Sequence, residues 1–270
     1  MTESRSPLPT ATPSTLTTDI MARSSGFLVD LRFREWTSGA SLLLEGRYDV
    51  SRFHDALFAC LEIDLPEPIV ASVTSRRAEF LAGRALARTA MRLAGVCAGP
   101  TQGQVPIAAD RSPVWPPGVN GAISHSHGRC VVAVSTNPHT YVGVDTERLA
   151  HDDALDAIVK HALVPEERKQ MDRNAAYSAS QWATLVFSAK ETLYKLLYPT
   201  VRQFFGFDAA CVTGSVDGGE LSLRLLCDLP GGHACGSPFT VSFELDAEHV
   251  TTWAAAGLAP TPRQGGQAER

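Results

Sequence analysis

Cys130-Val131-Val132-Ala133-Val134-Ser135-Thr136-Asn137-Pro138-His139-Thr140-Tyr141-Val142-Gly143-Val144-Asp145-Thr146-Glu147 joins an apolar run, a turn and an alternating run. A short apolar run bounded by polar residues reads as a buried strand, here Cys130 to Ser135. Asn137-Pro138-His139-Thr140 has turn chemistry, so Tyr141 to Glu147 is expected as its return strand. On that strand positions 145 and 147 share one face, about 7 Å apart at ~3.3 Å per residue. Two carboxylates held side by side repel each other unless a cation or proton lies between them. Oxygen donors suit a hard ion, and Mg²⁺ takes one or two carboxylates with waters and substrate phosphates. A solvated strand end carrying two surface acids is the alternative reading of these residues.

Upstream, Val73 to Gly95 reads as a long helix, with Thr74 or Ser75 at its start and Gly95 closing it. At 100° per residue Arg77, Arg84, Arg88 and Arg92 fall on one face, with Ala82, Leu86, Ala90 and Leu93 opposite. Val96 to Gly121 is rich in Gly and Pro and is expected as a long loop, followed by a short strand at Gly121 to Ser124. Downstream, a second major helix is expected over Tyr177 to Tyr198, ended by Pro199. Four strands then alternate as a meander: Ala209 to Thr213, Leu221 to Leu226, Phe239 to Leu245 and Val250 to Ala256. Strands and helices thus fall into two α+β halves, 21–140 and 141–258. Residues 1–20 hold twelve Ser, Thr or Pro and read as a disordered arm; 259–270 read as a disordered tail.

The chain has 270 residues, 44% of them hydrophobic, and 24 basic against 29 acidic side chains leave a charge of −5. Mild acidity gives no general attraction to nucleic acid, so any bound anion must be held by a local cluster of bases. Neither Gly-x-Gly-x-x-Gly nor a P-loop occurs, which argues against the usual nucleotide-binding α/β folds. Six cysteines (60, 97, 130, 211, 227 and 235) form no Cys-x-x-Cys pair and are expected as buried free thiols. The first twenty residues lack an apolar secretory core, and apolar runs such as Trp253 to Ala259 fall short of the ~20 residues that span a bilayer. A soluble cytoplasmic protein is expected.

Three further clusters carry chemistry. In Phe187-Ser188-Ala189-Lys190-Glu191-Thr192-Leu193-Tyr194-Lys195, Glu191 and Lys195 stand one helical turn apart. Alone that is an ordinary surface ion pair. Docked against 145 and 147, Glu191 would instead bring a third carboxylate, with Lys190 and Lys195 beside it, as metal-plus-phosphate chemistry needs. The arginine face of the first helix, together with Arg111 in the loop, either faces water or grips phosphates with guanidinium forks. Ser124-His125-Ser126-His127 lacks a second ligand pair for zinc and a Gly-x-Ser-x-Gly context for a nucleophile. A hydroxyl and an imidazole at a strand end remain phosphate donors.

The order of these signals resembles one family. Ser75-Arg76-Arg77-Ala78-Glu79-Phe80-Leu81-Ala82-Gly83-Arg84, Arg111-Ser112-Pro113-Val114-Trp115-Pro116 and Gly121-Ala122-Ile123-Ser124-His125-Ser126 look like its front half. Gly143 to Glu147, Phe187 to Lys195 and Phe205-Gly206-Phe207-Asp208-Ala209 look like its back half. The family is the 4′-phosphopantetheinyl transferases of the surfactin/enterobactin-synthase type, nearest the enterobactin synthase component D branch, over about residues 30–257. The resemblance implies an α+β (α/β) pseudo-dimer of two similar subdomains, with coenzyme A at their interface. It implies transfer of the phosphopantetheine arm of coenzyme A to a serine of an acyl, aryl or peptidyl carrier protein, releasing adenosine 3′,5′-bisphosphate. Siderophore or other secondary-metabolite synthesis is the implied setting, with a monomeric enzyme in the cytoplasm, associated or not with a synthase complex.

The resemblance also implies roles. Asp145, Glu147 and Glu191 match the acids of a Mg²⁺ (or Mn²⁺) site, and Glu191 is the base for the incoming serine. Lys190 and Lys195 match lysines that hold the pyrophosphate and neutralise the leaving group. Arg76, Arg84, Arg111, Ser124 and His125 match positions gripping the coenzyme A phosphates, His125 near the 3′-phosphate. Thr146 stands where many relatives carry Ile or Ala, and on a strand it points away from the metal face. Two other readings stay open: an inactive binder of coenzyme A or carrier protein, and another Mg²⁺-dependent enzyme acting on a nucleotide diphosphate.

Overall fold

Period-two alternation on both sides of residue 140 builds two antiparallel sheets, each covered by one long helix. The computed structural model describes residues 12–36, 41–96 and 103–257. Helix α1 (Pro13–Arg23) precedes strands β1 (Leu28–Trp36) and β2 (Ser41–Tyr48), short helices α2 (Ala56–Cys60) and α3 (Glu67–Val70), and the long α4 (Thr74–Leu93). Strands β3 (Asn120–Ser126), β4 (Arg129–Ser135) and β5 (Thr140–Arg148) follow, then helices α5 (Asp152–His161), α6 (Pro165–Arg173) and α7 (Ala179–Val201). The chain closes on β6 (Ala210–Asp217), β7 (Glu220–Leu225), β8 (Pro238–Leu245) and β9 (His249–Gly257).

The first sheet runs β1-β2-β4-β3 and the second β5-β9-β8-β7-β6. Here the expected return strand is corrected. β4 already has β2 on one side and β3 on the other, so no ladder is open to β5. β5 pairs instead with β9, with Asp145 opposite Thr252 and Glu147 opposite Val250. The turn at 137–140 is the passage from one sheet to the next.

Alternate residues of the first sheet separate into two cores. Leu42, Leu44, Cys130, Val132 and Val134 pack with α4. Leu43, Ala122, Val131 and Ala133 meet Val142, Val144 and Trp253 of the second sheet. Helix α7 covers the other face of the second sheet, burying Leu185, Ala189, Leu193 and Leu196 against Val212, Leu223 and Val241.

Several expectations change on inspection. Residues 13–20, expected in a disordered arm, form most of α1, whose Leu16 and Ile20 are buried. Residues 1–11 and 258–270 lie outside the described residues. Pro199 does not end α7: it removes one ladder bond in the last turn, and burial of Leu197 and Val201 carries the helix past it. The arginine face of α4 is not a water-facing stripe. Arg88 is buried and donates to the carbonyls of Leu61 and Glu62 (3.0 Å each) and to the Glu62 carboxylate (2.6 Å). Arg77 reaches the carbonyls of Val70 and Ser72 and the carboxylate of Asp55. A guanidinium has enough donors to tie off the carbonyl ends of short neighbouring helices. Of the five cysteines described, all are free, but only Cys130 and Cys211 are buried; Cys60, Cys227 and Cys235 are exposed, and Cys97 lies outside the described residues. Among the described residues no helix is long and apolar enough to cross a membrane.

Candidate active site

The edges of the two sheets come together along β3 and β5 without a backbone ladder. Side chains make the join. Ser124 Oγ donates to Asp145 Oδ1 (2.7 Å) and Ser126 Oγ to Glu147 Oε2 (3.1 Å). The alternation of β5 places Gly143, Asp145 and Glu147 on one face, toward α7. Thr146 turns the other way and meets Thr251 Oγ1 at 3.1 Å, as its strand position requires. Gly143 lets α7 approach: a Cβ there would lie 2.2 Å from the Thr192 carbonyl oxygen.

That approach delivers the α7 side chains. Lys195 Nζ donates to Asp145 Oδ1 (2.7 Å) and Ser188 Oγ to Asp145 Oδ2 (2.8 Å). Asp145 is therefore buried, 2% exposed, rather than the solvent-facing acid its strand end suggested. Burial, then the charge of Asp145, pushes the Glu147 pKa up to about 7, against the Ser126 hydrogen bond and Lys195. Burial also raises Glu191, with Lys195 opposing and Asp145 adding to the rise. Glu191 and Lys195 line a cavity of about 560 Å³, shared with Arg111, Trp115, Tyr194 and Tyr198.

The first half contributes cations. Arg76 Nη1 stands 3.2 Å from His125 Nε2; guanidinium only donates, so Nε2 accepts and the imidazole proton sits on Nδ1, toward Glu79 at 3.7 Å. Burial holds the His125 pKa down, aided by Arg76 and Lys195 and opposed by Glu79. Arg84 lies over the Phe80 ring at 4.7 Å and lines a second cavity of about 610 Å³. Burial, then the charge of Arg76, lowers the Arg84 pKa to about 10. Ala108 and Arg111 belong to both cavity walls, so the two adjoin. Arg84 Nε and Trp115 Nε1 are buried at these walls without a hydrogen-bond partner among the described residues. Arg111 itself takes a left-handed φ of +68°. Its loop is fixed by Asp110, whose carboxylate accepts from Ser112 N, Ser112 Oγ and the Tyr198 hydroxyl (2.7 Å).

Lys190 is not brought to the cleft. Its ammonium is buried among the Ala162 carbonyl (2.8 Å), the Phe207 carbonyl (2.9 Å) and Glu167 Oε2 (2.7 Å). Glu167 also accepts from the backbone N–H of Val164 and Val212, so this pair knits α6, α7 and β6 together. Reading Lys190 as a pyrophosphate ligand is corrected on that ground: every donor it has is taken up behind the helix. Sequence reasoning missed Ser188, Glu79 and Tyr198. The Ser188 hydroxyl was quoted within the helix motif and sits where i, i+3 spacing to Glu191 would have flagged it.

Among the described residues no three His, Cys, Asp or Glu side chains gather as a metal cage. Asp145 and Glu147 supply hard oxygen donors, and the charge of Asp145 raises the cost of ionising both Glu147 and Glu191. Such a set fits a hard cation held by one or two carboxylates and completed by water and phosphate oxygens.

Two family models match the chain, one on each side of the turn at 137–140. Residues 66–135 match the family model described as the 4′-phosphopantetheinyl transferase N-terminal domain, and 141–254 match that of the 4′-phosphopantetheinyl transferase superfamily. The gap between the two matches is the passage from the first sheet to the second. The 4′-phosphopantetheinyl transferase PptT of Mycobacterium tuberculosis is 32% identical over 203 residues, covering 70% of this chain and 85% of its own. Enterobactin synthase component D of Salmonella typhi is 31% identical over 179 residues, 66% and 71% of the two chains. The 4′-phosphopantetheinyl transferase Svp of Streptomyces mobaraensis is 30% identical over 166 residues, 60% and 64%.

Proposed function

Since the chain belongs to the 4′-phosphopantetheinyl transferase superfamily, an enzyme family that moves the phosphopantetheine arm of coenzyme A to carrier proteins, we propose how its cleft performs that transfer. The observation that carries the reading is the pair of adjoining cavities. They run from buried, unpartnered Arg84 Nε to Glu191 and Lys195, beside the Ser124–Asp145–Lys195 cluster. Together they have the size that a large nucleotide cofactor requires.

Coenzyme A lies across the joint of two similar halves, in a pseudo-dimer. Arg84 and Arg111 grip its phosphates with guanidinium forks, and Arg76, Ser124 and His125 add donors. Asp145 and Glu147, with Glu191, hold the Mg²⁺ or Mn²⁺. When bound, that ion supplies positive charge to the pyrophosphate oxygens. Lys195, already within 2.7 Å of Asp145, adds a fixed cation at the same place. A carrier serine hydroxyl is a poor nucleophile at neutral pH. Glu191, raised by burial, takes its proton. Oxygen attack on the pantetheine-side phosphorus forms the new ester and breaks the pyrophosphate bridge, and adenosine 3′,5′-bisphosphate leaves. The relatives named for enterobactin synthesis support aryl or peptidyl carriers of siderophore or related synthesis as the acceptors, with fatty-acid carrier protein as a further one. The working form is a cytoplasmic monomer.

Intact-mass spectrometry tests this. An apo peptidyl carrier incubated with this protein, coenzyme A and Mg²⁺ gains one phosphopantetheine arm, and EDTA suppresses the gain. No gain on peptidyl, aryl and acyl carriers, despite measurable coenzyme A binding, overturns the transfer reading. Glu191→Ala is expected to abolish transfer while retaining coenzyme A binding; full activity in that variant removes the assigned base.

A further inference from the structure

Beyond the end of the β7–β8 ladder, the connecting loop is closed again near its tip. Arg224 faces Pro238 at the last ladder position, and Leu229 faces His233 in an isolated antiparallel bridge. Leu225 N donates to the Ser237 carbonyl, and Leu229 N to the His233 carbonyl (2.8 Å). Between these two closures the ladder is interrupted: Gly236 N donates to the Leu225 carbonyl and Ser237 N to that of Ala234, a turn that leaves Cys227 and Cys235 on the two arms of one closed segment. A disulfide bridges Cα separations of about 4.4–6.8 Å.

The side chains agree. Both cysteines are exposed and free. Cys235 N donates to Asp228 Oδ1 at 2.7 Å, and Cys235 Sγ reaches the Leu225 carbonyl of the opposite arm at 3.8 Å. His233, the nearest imidazole of the hairpin, is occupied by Thr200 Oγ1 at 2.8 Å, and no third ligand gathers there among the described residues. A metal reading is thereby set aside.

We propose that Cys227 and Cys235 are a redox-active dithiol that closes to an intramolecular disulfide when a small disulfide such as oxidised glutathione is the oxidant. One protein thiolate attacks a sulfur of the small disulfide, forming a mixed disulfide and expelling one small thiolate. The second protein thiolate attacks the mixed disulfide at the protein sulfur and expels the other. Two protein thiols and one small disulfide become one protein disulfide and two small thiols, which carry away both protons. The bond would brace the hairpin whose tip rests on α7: a Cβ on Gly231 would stand 3.1 Å from the Thr200 carbonyl. This site is independent of the transfer chemistry.

The test uses the full chain treated with oxidised glutathione, quenched with an alkylating agent and mapped by non-reducing peptide mass spectrometry. The expected product is a peptide pair linked through Cys227 and Cys235, formed equally in Cys60→Ser. In Cys227→Ser the linkage is absent and Cys235 carries glutathione instead; both substitutions are at exposed positions, so the fold is retained. Recovery of the two cysteines as separate glutathione adducts, as links to other cysteines or between chains, or as unmodified thiols overturns the proposal.

Discussion

Lys190 and Glu191 are adjacent in sequence, yet one side chain points behind α7 and the other into the cleft. Lys190 is 3% exposed and its partner Glu167 is fully buried. Removing one member of such a pair leaves an uncompensated charge in a dry place. Lys190→Met is expected to lower stability by about 3–5 kcal/mol, read as a shift of the denaturation midpoint. Folded material should keep its KM for coenzyme A; a raised KM with unchanged stability would return Lys190 to the phosphate site. Sequence could not reveal this because Glu167 belongs to another helix, and the Lys-Glu doublet carries no mark of which way each residue faces. That Asp145 and Glu147 share one face of β5 was legible, since strand alternation fixes it.

Motif glycines show their purpose only when elements are brought together. Gly143 lies where β5 meets α7, and Gly121 lies against Trp115, whose ring would be 2.5 Å from an added Cβ. Gly143→Ala forces a methyl group onto the Thr192 carbonyl, and neither helix nor sheet can yield there without moving Lys195 from Asp145. The expected cost is about 1–3 kcal/mol by overpacking, with a larger loss of kcat than of coenzyme A affinity. Equal losses in both would show that only folding had suffered. The loop bearing Arg111 is positioned by an element of the other half, through Tyr198 and Asp110. Tyr198→Phe is expected to raise the KM for coenzyme A a few-fold with kcat retained, and an unchanged KM would detach Tyr198 from that duty. Helix α4 was legible almost to the residue, because its alanine face is unambiguous. The use of its arginines was not, since Arg77 and Arg88 serve carbonyls supplied by α2 and α3, whose short sequences carry no helical period.

At the scale of the whole molecule, charged pairs also span the two halves. Arg34 pairs bidentately with Glu244, and Arg129 donates to Asp246 at 2.6 Å. Burial works against ionised Asp246, but the Glu248 and His249 N–H groups and Arg129 prevail, and its pKa falls from 3.8 to about 2. A carboxyl with a depressed folded pKa gives stability that is present above its unfolded value and is lost as pH falls toward its folded value. Asp246→Asn is therefore expected to lose stability near neutrality and to flatten the decline between about pH 4 and 2, measured by chemical denaturation at several pH values. A parallel acid limb in variant and parent would exclude Asp246 from it. The change from one sheet to the next near residue 140 was legible from the strand pattern. The pairing of β5 with β9 was not, because nothing local announces that both edges of β4 are filled by strands far away in the chain.

The halves thus meet along β3 and β5 through serine hydroxyls and carboxylates rather than through a shared ladder. In the function proposed above, these are the groups that the cation and the pyrophosphate engage. Occupancy of the cleft and cohesion of the two halves are then one thermodynamic quantity seen from two sides. The resident pool of substrate becomes part of what keeps the polypeptide whole, and its depletion should register as a falling melting temperature before it registers as an idle enzyme.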